Sequence, residues 1–373
     1  MEAEGRIGVL HLISGLGMGG AERMLLWAAR HFDRESFDLV VVSLMSGGVL
    51  APLVRAEGVR VVEMGQRRGR LSLMVIWKLI RLSRSLTPRI LQGHLFHSNI
   101  LSRFLVLLIP DARSISTRHN ETDTPLRAFL YKITDRLSAG TIVFSEPVRR
   151  HVLKDRRVGG EVRLVPYGID PERPAKDRET VRMELGLDPD VWVWITVGRL
   201  TEQKGLDLLI EAFSEAGKKV SAPLFLLIVG GGEDGPILEA QVTRCAREGE
   251  VVFLGERNDV ADLLAASDAF VLSSRWEGGP LVVLEAMAAA LPVVATRVGD
   301  VNQMVVDGMT GLVVDPGSIQ ELTEAMIRIM SLGVEAAQWG AYGNKRILAS
   351  YNFSRTQRQV ENFYQEIARA PGI

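Results

Sequence analysis

A single cysteine, Cys245, stands in the whole sequence, so no internal disulfide can form, and no CxxC or Cys/His cluster with zinc spacing suggests a structural metal. Long hydrophobic runs are also lacking. Residues 71–82 contain Ser72, Lys78 and Arg81, and no uninterrupted apolar stretch reaches the roughly 18 residues a membrane span requires. The N-terminus reads MEAEGRIGVLHLISGLGMGG, acidic at first and then apolar only briefly before the glycines, which does not fit a secretory leader. A reducing, cytoplasmic setting is expected. A strong charge bias is missing too: the formal net charge is −1, and nothing in the pattern points to nucleic acid.

What is present is an ordinary globular composition, 47% hydrophobic and 24% charged, which excludes collagen-like, coiled-coil and largely disordered classes. At 373 residues the chain exceeds what one core usually serves, so two domains are expected. The small net charge conceals an asymmetry. Residues 1–174 carry 26 Lys+Arg against 17 Asp+Glu, and the remainder carries 18 against 28. A basic half followed by an acidic half fits a protein whose first half meets an anionic partner, or two halves that attract each other.

Short β-branched runs alternate with helical periodicity. Strands are expected at 6–13, 37–44, 59–64, 89–93, 112–118, 140–145 and 162–167, and again at 191–198, 223–230, 251–255, 269–274, 292–297 and 310–315. Continuous apolar strands separated by helices imply parallel sheets covered on both faces. The Pro- and charge-rich segment 166–179 reads as a hinge, and from about residue 318 the chain is helical. The expected class is α/β: two Rossmann-like, doubly wound parallel-sheet domains facing a cleft. They are an N-terminal domain (1–170), a second domain (171–355) and a C-terminal helix (356–373) expected to cross back to the first domain. The chemistry is expected in loops at the strand C-termini.

Several loops carry residues suited to a phosphorylated ligand. The loop SGLGMGGAER (14–23), containing Gly19 and Gly20, opens the first helix and lets backbone amides approach a phosphate; a ligand-free tight turn would look the same. VGRLTEQKG (197–205) places Arg199 after a strand and Lys204 at the entry of a helix, a pair suited to a diphosphate. In RWEGGPLVVLEAMAAALPVVAT (275–296), Glu277 precedes a helix and Glu285 lies in an apolar stretch where a carboxylate requires a dedicated partner. A ribose diol would serve, and so would a salt bridge to Arg275 or Arg297. The Gly278-Gly279-Pro280 turn leaves amides available from Leu281 and Val282 onward. Asp188-Pro189-Asp190, although of DxD form, lies ahead of a strand and reads as a turn.

The succession GxGMGGAER, STRHN, PYGID, VGRLxxxKG and EGGPLVVLEAMAAALPVV resembles the retaining glycosyltransferase family four, also described as glycosyl transferases group 1, of the two-Rossmann-domain (GT-B) type. The resemblance spans roughly residues 6–355. It implies a hexosyltransferase that moves a sugar, without a metal or other cofactor, from a UDP-, GDP- or ADP-sugar held by a nucleotide-sugar-binding second domain to a sugar, lipid-linked, glycan or small-molecule acceptor held by an acceptor-binding first domain, as in polysaccharide or lipopolysaccharide biosynthesis. It also implies that Arg199 and Lys204 hold the diphosphate, that Glu285 binds the ribose, that Glu277 contacts the transferred sugar, and that the Gly19–Gly20 loop closes over the donor. His119 falls at the position beside the transferred sugar. Catalytic roles are thus expected for His119, Arg199, Lys204 and Glu277. Donor contacts are expected for Gly19, Gly20, Gly278, Gly279, Leu281, Val282 and Glu285 as well, and acceptor or supporting roles for His94, His97 and Asn120. His11, His31 and His151 read as structural or exposed. Gly279 and Ala290 depart from the family pattern, which bears on the sugar pocket more than on phosphate binding.

Residues 67–86 combine an apolar stripe (Leu73, Ile76, Trp77, Ile80) with Lys78, Arg81 and Arg84. This is the pattern of a helix packed on a sheet, and also of one lying on an anionic membrane; weak peripheral contact at the inner face of the membrane is expected. Two rival functions share the architecture: a nucleotide-sugar epimerase, and a non-catalytic two-lobed module that binds sugar nucleotides.

Overall fold

The computed structural model describes residues 5–66, 72–119, 124–155, 160–245 and 247–370. They fall into two compact units, one containing the chain up to Asp170 together with the segment from Phe353 onward, the other Pro171–Asn352. Each is a parallel sheet wound on both faces by helices.

In the first unit the strands are β1 (Ile7–Ile13), β2 (Phe37–Ser43), β3 (Arg60–Glu63), β4 (Ile90–His94), β5 (Arg113–Arg118), β6 (Ser138–Val143) and β7 (Glu161–Leu164). Their spatial order is β3-β2-β1-β4-β5-β6-β7, with Val9 in register with Leu39 on one side and Ile90 on the other. The chain winds outward from β1 to β3, returns to β4 beside β1, and then winds the other way. The switch point of this sheet lies between β1 and β4, where ligands of doubly wound folds bind beyond the strand C-termini. Val9, Leu10, Leu12 and Ile13 are all buried, as continuous apolar strands covered on both faces require.

The last helix, Phe353–Arg369, belongs to this unit. Its buried face comprises Phe353, Thr356, Gln357, Val360, Phe363, Tyr364 and Ile367, spaced at i, i+3, i+4 and i+7, the stripe of a helix laid on a core. Phe353 meets Trp27 edge-on at 5.5 Å. A side chain at Gly140 on β6 would lie 2.5 Å from the Phe363 ring, so only glycine admits the helix at this separation.

The second unit contains β8 (Trp192–Val197), β9 (Leu224–Val229), β10 (Val251–Gly255), β11 (Ala269–Leu272), β12 (Val293–Thr296) and β13 (Gly311–Val314). The order β10-β9-β8-β11-β12-β13 places its switch point between β8 and β11. Trp194, Leu209, Phe213, Leu226 and Met326 form the centre of its core. The segment between β7 and the helix starting at Arg178 is irregular; Asp177 caps that helix by accepting from the Thr180 amide at 2.8 Å, the ordinary role of aspartate there. Residues 189–190 form a turn ahead of β8, so the DxD sequence lies at the end of the sheet away from the strand C-termini.

The basic segment 67–86 differs from its sequence reading. Residues 67–71 lie outside the described residues, and in the helix Leu73–Leu86 the buried positions are Val75, Leu79 and Ser83. Leu73 and Trp77, expected on the packed stripe, are instead 83% and 58% exposed. The Arg81 guanidinium lies over the Trp77 ring at 5.5 Å. The sheet face selects the branched Val75 and the Leu79 one turn on, leaving the bulkier indole at the surface.

Candidate active site

The second switch point brings the predicted cations and acids together. Beyond β8 the chain runs through Gly198 and Arg199 into one 3-10 turn, Glu202–Lys204, and then Gly205, which precedes the helix Leu206–Lys219. Gly205 has φ of +60°, and a side chain there would lie 2.3 Å from the Ser273 carbonyl oxygen. The loop following β8 is therefore pressed against the loop following β11. Polar contacts join the two: Ser273 Oγ donates to the Lys204 carbonyl at 2.9 Å, and Arg275 grips Asp207 through both guanidinium nitrogens at 2.8 and 2.6 Å.

At the centre, Lys204 Nζ lies 2.6 Å from Glu277 Oε1. The same carboxylate oxygen accepts from Ser274 Oγ at 2.8 Å, and Gln203 Nε2 donates to the Trp276 carbonyl at 3.1 Å. Glu277 is only 8% exposed, and an unpaired carboxylate buried to that degree would cost several kcal/mol; Lys204 and Ser274 compensate it. Arg199, by contrast, is exposed, its guanidinium 3.3 Å from Gln203 Oε1. Positive charge thus remains accessible beside a neutralised pair.

Glu285 lies on the helix Leu281–Ala288 and is half-buried. Of the two arginines considered in the sequence, Arg275 pairs with Asp207, and Arg297 with Asp315 at 3.1 Å. Pro280 precedes the helix with no side-chain cap, so the first-turn amides at Leu281 and Val282 are suited to an external acceptor. Gly278 is buried and Gly279 half-buried. Gly299, with φ of +51°, backs the Glu277 turn, since a side chain there would lie 2.9 Å from the Glu277 carbonyl oxygen. Ala290 also has a left-handed φ of +60°, which accounts for the glycine that the family pattern often carries at this position.

At the first switch point the groups are buried and neutral. His11, Gln92 and His94 come from β1 and β4, and His119 follows β5. His94 is 6% exposed. Burial lowers the pKa of His11 to about 3 and that of His119 to about 4, and takes His94 well below the usual imidazole value, because a charged ring loses its hydration there. His119 stacks on Phe144 at 5.3 Å, and among the described residues its buried Nε2 has no hydrogen-bond partner. Leu95, next to His94, adopts φ of +67°, turning the chain sharply into the helix Leu95–Leu105.

His97 is exposed and packs edge-on against Phe96 at 5.2 Å, so the two histidines paired in the sequence reading occupy different environments. Gly19 and Gly20 are exposed at the start of the helix Gly20–His31. Asn120 lies outside the described residues. Sequence reasoning missed Ser274 and Gln203, which sit beside recognised charges, and the importance of His11 and Gln92. A histidine amid the apolar run of β1, and a glutamine two positions before His94 on the same strand face, were the available signals.

Known proteins resemble both units of the chain. The family described as Glycosyl transferases group 1 matches residues 177–346, and that described as Glycosyltransferase Family 4 matches residues 18–173. The two models together take in residues 18–173 and 177–346, so the likeness to this glycosyltransferase family runs through both units. It is 31% identical over 216 residues to the lipopolysaccharide core biosynthesis mannosyltransferase LpsB of Rhizobium meliloti, covering 55% of this chain and 61% of that protein. It is 27% identical over 194 residues to N-acetyl-alpha-D-glucosaminyl L-malate synthase of Bacillus anthracis, covering 52% and 50%. The chain thus spans about half to three fifths of the length of these curated relatives. A crystal structure of Anabaena HepE in complex with UDP-glucose matches with a TM-score of 0.84 at 21% identity, covering 97% of this chain and all of that one. The fold is of the GT-B type.

Proposed function

We propose that the protein is a retaining glycosyltransferase that moves a hexose-type sugar from a nucleoside-diphosphate sugar to an acceptor bound mainly by the first unit. The observation that carries this reading is the Lys204–Glu277 pair at 2.6 Å, with accessible Arg199 and the uncapped helix of Glu285 at the same switch point. Arg199 and Lys204 meet the diphosphate, where charge develops as the glycosidic C–O bond breaks, and preorganised cations of this kind are worth most in the transition state. These cations do the work a bound metal performs elsewhere, so transfer is expected to proceed with no metal and no other cofactor. The acceptor oxygen forms its bond on the face from which the diphosphate leaves, and its proton passes to the departing phosphate oxygen. Glu285 binds the ribose, and Glu277, Gly278, Gly279, Leu281 and Val282 border the sugar and phosphate. In this reading Gly19 and Gly20 serve as donor contacts, and His119, with His94, His97 and Asn120 in supporting roles, serves the sugar and acceptor. The relatives' names, a lipopolysaccharide core mannosyltransferase and a malate N-acetylglucosaminide synthase, support both lipid-linked and small-molecule acceptors.

No helix among the described residues is long and apolar enough to cross a membrane. Exposed Leu73, Met74 and Trp77 beside Lys78 and Arg81 support weak peripheral contact with an anionic surface; co-sedimentation with anionic and neutral vesicles tests it.

The test of function is incubation with UDP-, GDP- and ADP-sugars, with and without candidate acceptors, followed by NMR in the presence of a chelator. Acceptor-dependent release of nucleoside diphosphate with retention at the anomeric carbon is expected. An epimerised donor formed without acceptor would establish the epimerase instead, and binding without any turnover or slow donor hydrolysis would leave a binding module.

A further inference from the structure

Behind His119 the first unit contains a continuous chain of buried side-chain hydrogen bonds that reaches the last helix. Gln92 Nε2 donates to Thr117 Oγ1 at 2.7 Å, leaving the Gln92 carboxamide oxygen as acceptor for the Tyr364 hydroxyl. The Tyr364 oxygen lies 3.0 Å from His11 Nε2, and His11 Nδ1 lies 3.2 Å from His94 Nε2. His11 and Gln92 are each 2% exposed and Tyr364 is fully buried. His94 and His119 line the same small cavity, together with Tyr364 and Phe144.

A hydroxyl has one proton, and this fixes the order of every other proton in the chain. Tyr364 gives its proton to Gln92, so it can only accept from His11, which must carry its proton on Nε2. His11 Nδ1 is then a bare acceptor, and His94 must donate to it from Nε2. His94 Nδ1 is left as a lone pair that can accept a hydrogen bond from a hydroxyl. The cavity walls are largely apolar, with Met24, Leu25, Ala28 and Val360 among them, which keeps both rings neutral and makes the tautomer the only freedom to be settled.

We infer that Tyr364 is a positioning residue: from the C-terminal helix it sets, through Gln92 and His11, the tautomer in which His94 faces a hydroxyl-bearing ligand beside His119. Tyr364 touches neither donor nor acceptor in this account. The role of His94 rests on the transferase reading above, whereas the proton order rests on the hydrogen bonds alone.

Histidine-labelled full-length protein examined by long-range proton–nitrogen NMR reads the ring protons directly. His11 and His94 are both expected as neutral Nε2–H tautomers at neutral pH; Nδ1–H on either ring would overturn the inference. In Tyr364→Phe, His11 loses its acceptor, so both rings should become tautomer mixtures. Turnover should then fall about tenfold, the scale of one lost buried hydrogen bond, while nucleoside-diphosphate affinity stays within about twofold. Unchanged tautomers, or altered tautomers with unchanged turnover, would contradict the positioning role. Should that variant fail to fold, Gln92→Met retains the phenol and frees its proton to turn toward His11. The pair should then flip to Nδ1–H, and an unflipped pair in folded protein would refute the order proposed. Failure of the transferase reading would show separately, as absent nucleotide affinity in the unmodified protein with the NMR result intact.

Discussion

The two units are built alike and fill their switch points oppositely. Each winds outward from a central strand, returns beside it and winds away again, leaving a crevice beyond β1 and β4 in one and beyond β8 and β11 in the other. In the first, the crevice floor holds neutral groups in a buried hydrogen-bond chain, His11, His94, Gln92 and Tyr364. In the second it holds full charges, Lys204 and Glu277 paired and Arg199 exposed. Backbone topology therefore supplies a place, and side-chain charge determines what the place can receive. An anionic diphosphate suits the second crevice, and hydroxyl groups suit the first.

Substitutions on either side sharpen the contrast. The largest effect is expected for Lys204→Ala: turnover should fall about a thousandfold, roughly 4 kcal/mol, with a much smaller change in donor KM. The same change leaves Glu277 buried without its cation and should cost about 3 kcal/mol of stability, readable as a lower denaturant midpoint. Unchanged turnover would reduce the charged crevice to a structural feature. His119→Ala on the neutral side should lower turnover about a hundredfold, as loss of a positioned polar group does, with nucleotide affinity unaffected.

The neutral side also predicts a pH dependence. The unfolded chain protonates these imidazoles near 6.5, whereas folded His119 holds out to about 4 and folded His11 to about 3. Between those values the unfolded state binds more protons, so stability is present above pH 6.5 and is lost as pH falls toward 4. Thermal unfolding midpoints should decline over that window, and a flat profile would show these rings to be charged or solvated.

Glu285→Ala should act on binding, raising donor KM about tenfold with little change in kcat. The smallest effect is expected at Ala290, held at φ of +60°: Ala290→Gly should raise stability by about 1 kcal/mol without altering kinetics, measured by denaturant unfolding.

The sequence was informative where physics is local. Among the described residues, thirteen strands overlap the ranges expected for them; central strands such as β1 and β8 were legible because a strand buried on both faces needs a continuous apolar run, whereas the edge strands β3 and β7 are only part-buried. Lys204 and Glu277 were recognisable as charges in motifs, yet their pairing across 73 positions follows from β8 and β11 lying side by side, a long-range fact. The Tyr364 chain was hidden for the same reason: it connects residues 353 positions apart, and a tyrosine in an amphipathic helix reads as ordinary core. The stripe on Leu73–Leu86 was misplaced because helical periodicity gives a face but not which of two neighbouring faces the sheet covers.

Under the proposed function, the second crevice binds a nucleoside diphosphate through its fixed charges. Calorimetric titration of the protein with UDP, GDP and ADP, repeated on Arg199→Ala and Glu285→Ala, decides this. One of the three nucleotides should bind in the micromolar range, and each substitution should weaken it by about tenfold or more. Equal affinity in all three proteins, or no binding of any nucleotide, would contradict the account.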